Sequence, residues 1–243
     1  MERVLSMCSE YKKPIIHFLT NYVTMNDVAN VCIAAGGRPI MADAIEEFES
    51  IIGQSDGVVI NIGTADESRF DKFYEALAIA QRLNKPILLD PVGCSASDYR
   101  LTHCLNLLKQ GVAIIKCNCQ EARALVEEQI SPEFYGVDSQ GYDSLNQKKW
   151  AEKLWEKYGH TNAQLIVIVT GATDVIVSQT SCKSIHGGSS LQTRITGSGC
   201  ILNSLLMVRF CKKIQSGNQA HPMHEVIVKA LELMKKSSEL AAK

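Results

Sequence analysis

Short apolar runs alternate with longer segments of helical periodicity along most of the chain. The runs that predict β-strands are residues 14–20, 38–42, 57–63, 86–92, 112–118, 165–171 and 174–179. The segments that predict helices are residues 24–35, 43–53, 66–84, 98–110, 119–129, 141–158, 199–214 and 223–240. The central runs are continuously apolar, which is typical of strands covered on both faces. The alternation predicts an α/β fold with a parallel sheet and right-handed crossovers.

The same pattern favours one domain over residues 1–243. A chain of 243 residues, 46% of them hydrophobic, is long enough for one large domain or two small ones with ample core. No linker rich in Pro, Gly or Ser, no repeat and no low-complexity tract divides the chain, and the stretch from 130 to 144 is interpreted as a long connection. We therefore predict a single domain.

Composition and charge argue against several classes of partner. The formal net charge is −1 and no Lys- or Arg-rich run occurs, so we expect no nucleic-acid binding. No apolar stretch reaches the roughly 18 residues of a membrane-spanning helix, and the first residues lack the apolar region of a signal peptide, so we expect no membrane partner. Nine cysteines without a CxxC motif indicate reduced thiols and a cytoplasmic location. The close pairs Cys117/Cys119 and His221/His224 lack a second half, so a structural zinc site is not expected.

Polar residues and glycines gather where the predicted strands end. In open parallel sheets ligands bind at the carboxyl ends of the strands, so these endings are candidate site residues. The endings are Thr20-Asn21, Met41-Ala42-Asp43, Asn61-Ile62-Gly63-Thr64, Asp90-Pro91-Val92-Gly93, Lys116-Cys117-Asn118 and Thr170-Gly171. Asn, Asp and Gly also make ordinary turns, and that alternative stays open for any single ending.

The sequence Gly197-Ser198-Gly199-Cys200 opens an apolar helix after a β-like segment, LQTRIT. Glycines let backbone amides converge, and a helix N-terminus adds partial positive charge, so this turn is a candidate anion hole. It is neither a Walker A loop nor a dinucleotide fingerprint, since the residues those motifs require do not follow. The alternative is a tight turn followed by a buried cysteine.

Residues 53–57 match GxSxG, the motif of serine hydrolases, but in the wrong context. A nucleophile elbow needs a strand before it and a helix after it. Here a helical segment precedes the motif and the strand VVINIG follows it. We therefore do not expect a serine hydrolase.

Two carboxylates end or follow neighbouring strands. Asp90 ends one strand, and Glu121 lies on the first turn of the helix that leaves the next. Such a pair suits a largely hydrated Mg²⁺ that touches phosphate, with Lys116 as a compact cation nearby. Both carboxylates are expected in exposed loops, so that alanine at either position would lower turnover and leave the fold intact. The alternative for Glu121 is a favourable acid near a helix N-terminus.

Together these residues resemble the hydroxyethylthiazole kinase family of the ribokinase-like superfamily. The matching pieces occur in the family's order: PIIHFLTNYVTMNDVAN, RPIMADAIEE, VVINIGT, PILLDPVG, KCNCQEARAL, GVDS, IVIVTGATD and TRITGSGC. TNYVTMNDVAN, MADA and NIGT are specific to the family, whereas DPVG and the glycine–cysteine turn are shared more widely. The resemblance implies a three-layer sandwich around a mostly parallel sheet. It also implies ATP- and Mg²⁺-dependent phosphorylation of the primary alcohol of 4-methyl-5-(2-hydroxyethyl)thiazole in thiamine biosynthesis, by a homotrimer with thiazole sites between subunits.

The resemblance also assigns roles to residues of this chain. Thiazole-binding positions are Met41, Asn21, Val23 and Gly63, with Gly197. ATP-contacting positions are Lys116 and Thr170, and the acids near the metal are Asp90 and Glu121. The catalytic turn is Gly197, Ser198, Gly199 and Cys200, with the thiol beside the substrate alcohol.

This chain departs from the family's pattern beside the nucleotide. Many members read Arg-Gly-Asn where it reads Lys116-Cys117-Asn118, which keeps the charge and loses the bidentate fork of arginine. This departure makes a binding protein without catalysis one alternative, although both carboxylates and Cys200 are present. A kinase of another small alcohol is a second alternative, against which TNYVTMNDVAN and MADA argue.

We expect Cys200 to accept the proton of the alcohol and to orient it, without a covalent phosphocysteine. A free thiol is mostly protonated at neutral pH, and the helix N-terminus is expected to raise its thiolate fraction.

Overall fold

The computed structural model describes residues 12–130, 144–160, 162–217 and 222–243. Its strands are β1 (Ile15–Leu19), β2 (Arg38–Ile40), β3 (Gly57–Asn61), β4 (Ile87–Asp90), β5 (Ile114–Asn118), β6 (Ile166–Thr170), β7 (Asp174–Ser178) and β8 (Ser181–Ile185). They form one sheet in the order β2-β1-β3-β4-β5-β6-β7-β8. The pairs from β2 to β6 are parallel, and β7 and β8 continue the sheet as antiparallel strands. The predicted mostly parallel sheet is confirmed.

Eight α-helices connect and cover the described strands. They are α1 (Met25–Ala34), α2 (Phe48–Gln54), α3 (Glu67–Arg82), α4 (Asp98–Gln110), α5 (Cys119–Glu127), α6 (Ser144–Gly159), α7 (Ser198–Ser216) and α8 (Met223–Ala241). Two 3-10 turns, Ile45–Glu47 and Ser190–Arg194, precede α2 and α7.

The sheet separates two hydrophobic cores, because successive strand side chains point to opposite faces. In β3, Val58 and Ile60 enter one core and Val59 enters the other. Helices α2 to α6 cover the first core, and α1, α7 and α8 cover the second. This is the three-layer α/β sandwich that the resemblance implied, with the ends of β1, β3, β4, β5 and β6 at a common edge.

Two details differ from the sequence-based expectation. The segment LQTRIT is not β-like, since Ser190–Arg194 form a 3-10 turn that Ser189 caps by accepting from the Leu191 amide at 3.2 Å. Strand β8 was missed because it carries no apolar run: only Ile185 at its end is buried. The GVDS motif, the long connection and the predicted start of α6 at 141 lie outside the described residues.

The GxSxG match is confirmed as a decoy, because α2 ends at Gln54 and β3 begins at Gly57. All eight cysteines in the described ranges are free thiols. Within the same ranges no helix combines the length and apolar character needed to cross a bilayer.

Candidate active site

Five parallel strands bring their polar ends to one edge of the sheet. Asn61 at the end of β3 is in register with Asp90 at the end of β4, and Asn118 of β5 is in register with Thr170 of β6. The N-terminus of α7 lies over this edge, because Lys116 on β5 donates to the Gly199 carbonyl at 3.1 Å. Lys116, one of the predicted strand-end residues, therefore contacts the predicted anion turn.

Asp90 is the buried centre of this group, with no exposed surface. Its Oδ1 lies 2.8 Å from the Lys116 ammonium. Its Oδ2 accepts from the side-chain amides of Asn61 and Asn203, both at 2.7 Å. A carboxylate with these partners is fully desolvated and fixed in orientation, so the expectation that Asp90 sits in an exposed loop is wrong.

The Cys200 thiol contacts two amides of the same group. The side-chain amides of Asn21 and Asn61 each lie 3.3 Å from Cys200 Sγ, and Asn21 also donates to Asn61 Oδ1 at 3.0 Å. Burial raises the pKa of the Cys200 thiol and the Asp90 carboxylate raises it further, while Lys116 and the two amides lower it. The net pKa is raised, so the expected enrichment of the thiolate is wrong.

Of the two glycines in the turn before Cys200, Gly197 has less room for a side chain than Gly199. Gly197 has φ +81°, and a Cβ there would lie 2.0 Å from Thr24 Cγ2. Gly199 is already helical, and a Cβ there would meet only Lys116 Nζ, at 3.5 Å. As the N-cap of α7, Gly197 offers no side-chain acceptor to the first amides of the helix. Those amides are the donors that a helix N-terminus presents to anions.

Lys116 stays charged although it is only 4% exposed. Burial by itself lowers the pKa of Lys116, but the Asp90 carboxylate and other negative groups more than compensate, so its pKa is raised. The ammonium thus lies under the anion turn, between Asp90 and the Gly199 carbonyl.

Glu121 begins α5 in a capping box. Its Oε2 accepts from the Asn118 amide and its Oε1 from the Gly93 amide, both at 2.8 Å, while the Asn118 side chain accepts from the Glu121 amide. Only 4% of Glu121 is exposed, which contradicts the predicted exposed position. Burial raises the pKa of Glu121 to about 7, and the Asp90 charge contributes in the same direction. Glu121 is therefore both the favourable helix-start acid of the alternative interpretation and a second negative group close to Asp90.

The raised pKa of Glu121 predicts a pH dependence of stability. The folded protein holds a proton on Glu121 between its ordinary pKa of 4.5 and about 7, which the unfolded chain has already lost. The free energy of unfolding therefore falls as the pH rises from about 4.5 to about 7, by about 3 kcal/mol at most.

We expect Glu121→Gln to remove this fall, as measured by urea unfolding between pH 5 and 8 in the presence of a metal chelator. Glu127→Gln, on the exposed end of the same helix, is the control and should keep the wild-type slope. Identical slopes for Glu121→Gln and the wild type would contradict the assigned pKa.

The expected thiazole-binding residues divide into two groups. Asn21 is 4% exposed and contacts Cys200, and the Gly63 amide donates to Asn61 Oδ1 at 3.0 Å. Met41 is partly buried against the second core, whereas Val23 is 65% exposed. The structure thus joins Asn21 and Gly63 by hydrogen bonds to the side chains around Asp90, whereas Met41 packs against the second core and Val23 faces solvent.

Thr170 ends β6, and two hydrogen bonds hold it in place. Its hydroxyl donates to the Cys117 carbonyl at 3.2 Å, and its own carbonyl accepts from the Gln147 side chain at 3.3 Å. These bonds fix the start of the loop that follows β6.

Sequence reasoning gave no specific role to three residues that hold the site together. Asn61 was noted only as part of a strand ending, although it binds both Asp90 and Cys200. Asn203 lies one turn after Cys200 on α7, and a polar amide within that apolar helix was a usable signal. Arg100 on α4 donates to the carbonyls of residues 62, 63 and 92, and nothing in an exposed helix pattern reveals this.

Solved structures define the class of fold. A ribokinase-like superfamily protein from Enterococcus faecalis superposes with a TM-score of 0.62 at 15% identity, covering 94% of this chain and 80% of the other. At that identity the likeness shows the fold alone, and the chain therefore has the ribokinase-like fold.

Closer similarities define the family. The model of the hydroxyethylthiazole kinase family matches residues 7–243. Hydroxyethylthiazole kinase of Pyrococcus abyssi is 39% identical over 194 residues, which are 80% of this chain and 71% of that protein. The structure of the hydroxyethylthiazole kinase protein of Pyrococcus horikoshii superposes with a TM-score of 0.71 at 30% identity, covering 95% of this chain and 90% of the other. The chain belongs to the hydroxyethylthiazole kinase family and is a small-molecule kinase.

Proposed function

We propose that this protein phosphorylates the primary alcohol of 4-methyl-5-(2-hydroxyethyl)thiazole, with ATP as the phosphoryl donor and Mg²⁺ as the metal. One observation carries the proposal beyond family membership. The Cys200 thiol, two asparagine amides and the Lys116–Asp90 ion pair meet directly under the N-terminus of α7. This arrangement joins a group that can orient an alcohol to an anion hole that can receive a phosphoryl group.

The anion turn carries most of the proposed catalysis. Phosphoryl transfer passes through a loose transition state, so positioning and charge neutralisation matter more than a strong base. The first amides of α7 and the buried Lys116 ammonium supply fixed positive charge, and such charge acts more strongly when it is removed from water. Asn21 and Asn61 hold the Cys200 side chain, which in turn orients the alcohol.

The residues present fit a hydrated Mg²⁺. Asp90 contributes to the raised pKa of Glu121, so the two carboxylates repel each other and a divalent cation would relieve that repulsion. Their oxygens already accept hydrogen bonds from the protein, which suits an ion that keeps most of its own water. The ion would neutralise phosphate charge on the nucleotide.

The thiazole ring is proposed to lie against Met41, Asn21, Val23 and Gly63. His17 supports the strand end that carries Met41, because its Nε2 lies 2.8 Å from the Ala42 carbonyl oxygen. The exposure of Val23 and of the neighbouring Tyr22, 65% and 59%, agrees with a pocket completed by another subunit of a homotrimer. Free thiols at all described cysteines agree with a cytoplasmic location.

The direct test is a coupled assay for ADP release with and without the thiazole alcohol. ADP release that depends on both the thiazole alcohol and Mg²⁺ supports the proposal. Nucleotide and thiazole binding without turnover would favour a binding protein, to which the altered Lys116-Cys117 segment points. Turnover of pyridoxal but not of the thiazole alcohol would favour another small-alcohol kinase.

Replacement of Cys200 by Ser separates orientation from base catalysis. The hydroxyl of Cys200→Ser can still accept from Asn21 and Asn61, but it is a far weaker base. General-base contributions span about 10²–10⁴-fold, and because the transition state is loose we expect a loss in kcat near 10²-fold.

Cys182→Ser, on the exposed strand β8, is the matched control and should keep wild-type kcat. Because the pKa of Cys200 is raised, any thiolate contribution should make wild-type kcat rise into the alkaline range, and the serine variant should lack that rise. A trapped phosphocysteine in the wild type would contradict the orienting role.

A further inference from the structure

Lys235 on α8 is a buried cation that the proposed chemistry does not use. It is 5% exposed. Its ammonium lies 3.4, 3.2 and 3.2 Å from the carbonyl oxygens of Gly171, Ala172 and Gly187, and 3.3 Å from Asp174 Oδ2. An ammonium has three donors, so three carbonyls together with one carboxylate satisfy both its hydrogen-bonding capacity and its charge.

Burial of the Lys235 ammonium costs free energy, and packing alone could be satisfied by an apolar side chain. Removing an ammonium from water is unfavourable, and a buried ion pair often gives no more stability than apolar side chains of the same volume. Neighbouring positions on α8 such as Leu231 and Ile227 are filled by apolar residues. A charged residue at 235 therefore points to a role in fixing the backbone that it contacts.

Two of the contacted carbonyls belong to the loop that follows β6. Asp174 connects the ammonium to that loop a second time, because its Oδ1 accepts from the Gly171 amide at 3.0 Å. On the opposite face of the sheet, the Gln147 side chain of α6 donates to the Thr170 carbonyl. A Cβ at Gly171 would lie 1.7 Å from Gln147 Nε2, so the loop passes directly between the two side chains. The loop is thus clamped from both helical layers.

The same face of α8 holds a second segment. Ser238 accepts from the Ser189 amide at 3.0 Å and Glu239 accepts from the Gly188 amide at 2.7 Å. This segment leads through the 3-10 turn Ser190–Arg194 to the anion turn at Gly197. One helix therefore fixes both the loop after Thr170 and the chain that enters the anion turn.

We propose that Lys235 is a positioning residue for the nucleotide, holding the loop after β6 in the conformation that presents Thr170 and its neighbours to ATP. This inference rests on the proposed function, because the family resemblance behind that function gives Thr170 as an ATP-contacting position. Lys235 does not touch the reacting atoms; it acts through the backbone of residues 171, 172 and 187.

The test compares Lys235→Met with Lys236→Met, the exposed neighbour on the same helix. We expect Lys235→Met to raise the KM for ATP by about tenfold or more, since small misplacements of positioning groups cost up to about 10²-fold. The KM for the thiazole alcohol should stay within about twofold, and Lys236→Met should match the wild type in both constants.

A second variant removes the effect of lost stability. Lys235→Met leaves the Asp174 carboxylate buried and unpaired, so the melting temperature should fall. The double variant Asp174→Asn/Lys235→Met removes both charges and should recover much of the melting temperature while its KM for ATP stays raised. Recovery of the melting temperature together with the KM for ATP in the double variant would overturn the positioning role. Equal changes in the KM for ATP and the KM for the thiazole alcohol would also overturn it.

Direct binding keeps this test separate from the proposed reaction. Calorimetric titration with ADP and Mg²⁺ needs no turnover, so a weaker Kd in the double variant supports the inference even if the wild type does not phosphorylate the thiazole alcohol. An unchanged Kd would overturn it, whatever the substrate is.

Discussion

Replacement of Asp90 by Ala is expected to lower kcat by at least about 10²-fold and to lower the melting temperature as well. Asp90 has no exposed surface, and its two oxygens hold the Lys116 ammonium and the amides of Asn61 and Asn203. Alanine leaves that ammonium buried without its partner, a change that typically costs about 3–5 kcal/mol. Alanine also removes the acceptor of the Asn61 side-chain amide, which contacts Cys200.

Two further variants distinguish lost catalysis from lost stability. Asp90→Asn/Lys116→Met removes both charges, so it should regain much of the melting temperature and remain nearly inactive. Asp98→Ala, an exposed carboxylate at the start of α4, should keep wild-type turnover. The measurements are kcat over a range of Mg²⁺ concentrations and thermal unfolding. Wild-type turnover and Mg²⁺ dependence in Asp90→Ala would make the proposed metal and phosphate role wrong.

Hydrophobic periodicity was sufficient for most of the fold. Strands such as Ile87–Asp90 and Ile166–Thr170 are almost wholly buried and therefore appear as continuous apolar runs. The edge strand Ser181–Ile185 exposes its middle residues, so its pairing with β7 leaves no apolar signal. Hydrophobic periodicity depends on burial. An edge strand held mainly by backbone hydrogen bonds buries few side chains, so it shows little periodicity.

The locations of the site residues were predicted better than their burial. The rule that ligands bind at strand ends selected Asn21, Asp90, Lys116 and Thr170, and the structure gathers these ends at one edge. Burial of the carboxylates was missed because α7, far along the sequence, closes over the ends of β4 and β5. Asn203 escaped for the same reason: its partner lies 113 residues away, and no local pattern indicates such a contact.

Replacement of Gly197 by Ala is expected to lower kcat by about 10²–10³-fold, the loss typical of removing one donor from an oxyanion hole. The backbone at Gly197 has φ +81°, which a side chain disfavours, and the added Cβ would lie 2.0 Å from Thr24 Cγ2. Thr24 donates to Asn21 Oδ1 from both its amide, at 3.0 Å, and its hydroxyl, at 3.1 Å. A shift of Thr24 would therefore also move the amide that contacts Cys200.

Gly199→Ala is the matched comparison, since the two glycines are two residues apart in the same turn. Gly199 is helical and its added Cβ would meet only the Lys116 ammonium at ordinary contact distance, so this variant should keep the wild-type melting temperature. Any fall in its kcat then reports a phosphate group that approaches the turn closely. Thr24→Ser/Gly197→Ala removes the clashing methyl but not the backbone strain, and should recover only part of the activity. Normal kcat in Gly197→Ala, measured on folded protein, would reduce the turn to an ordinary helix start.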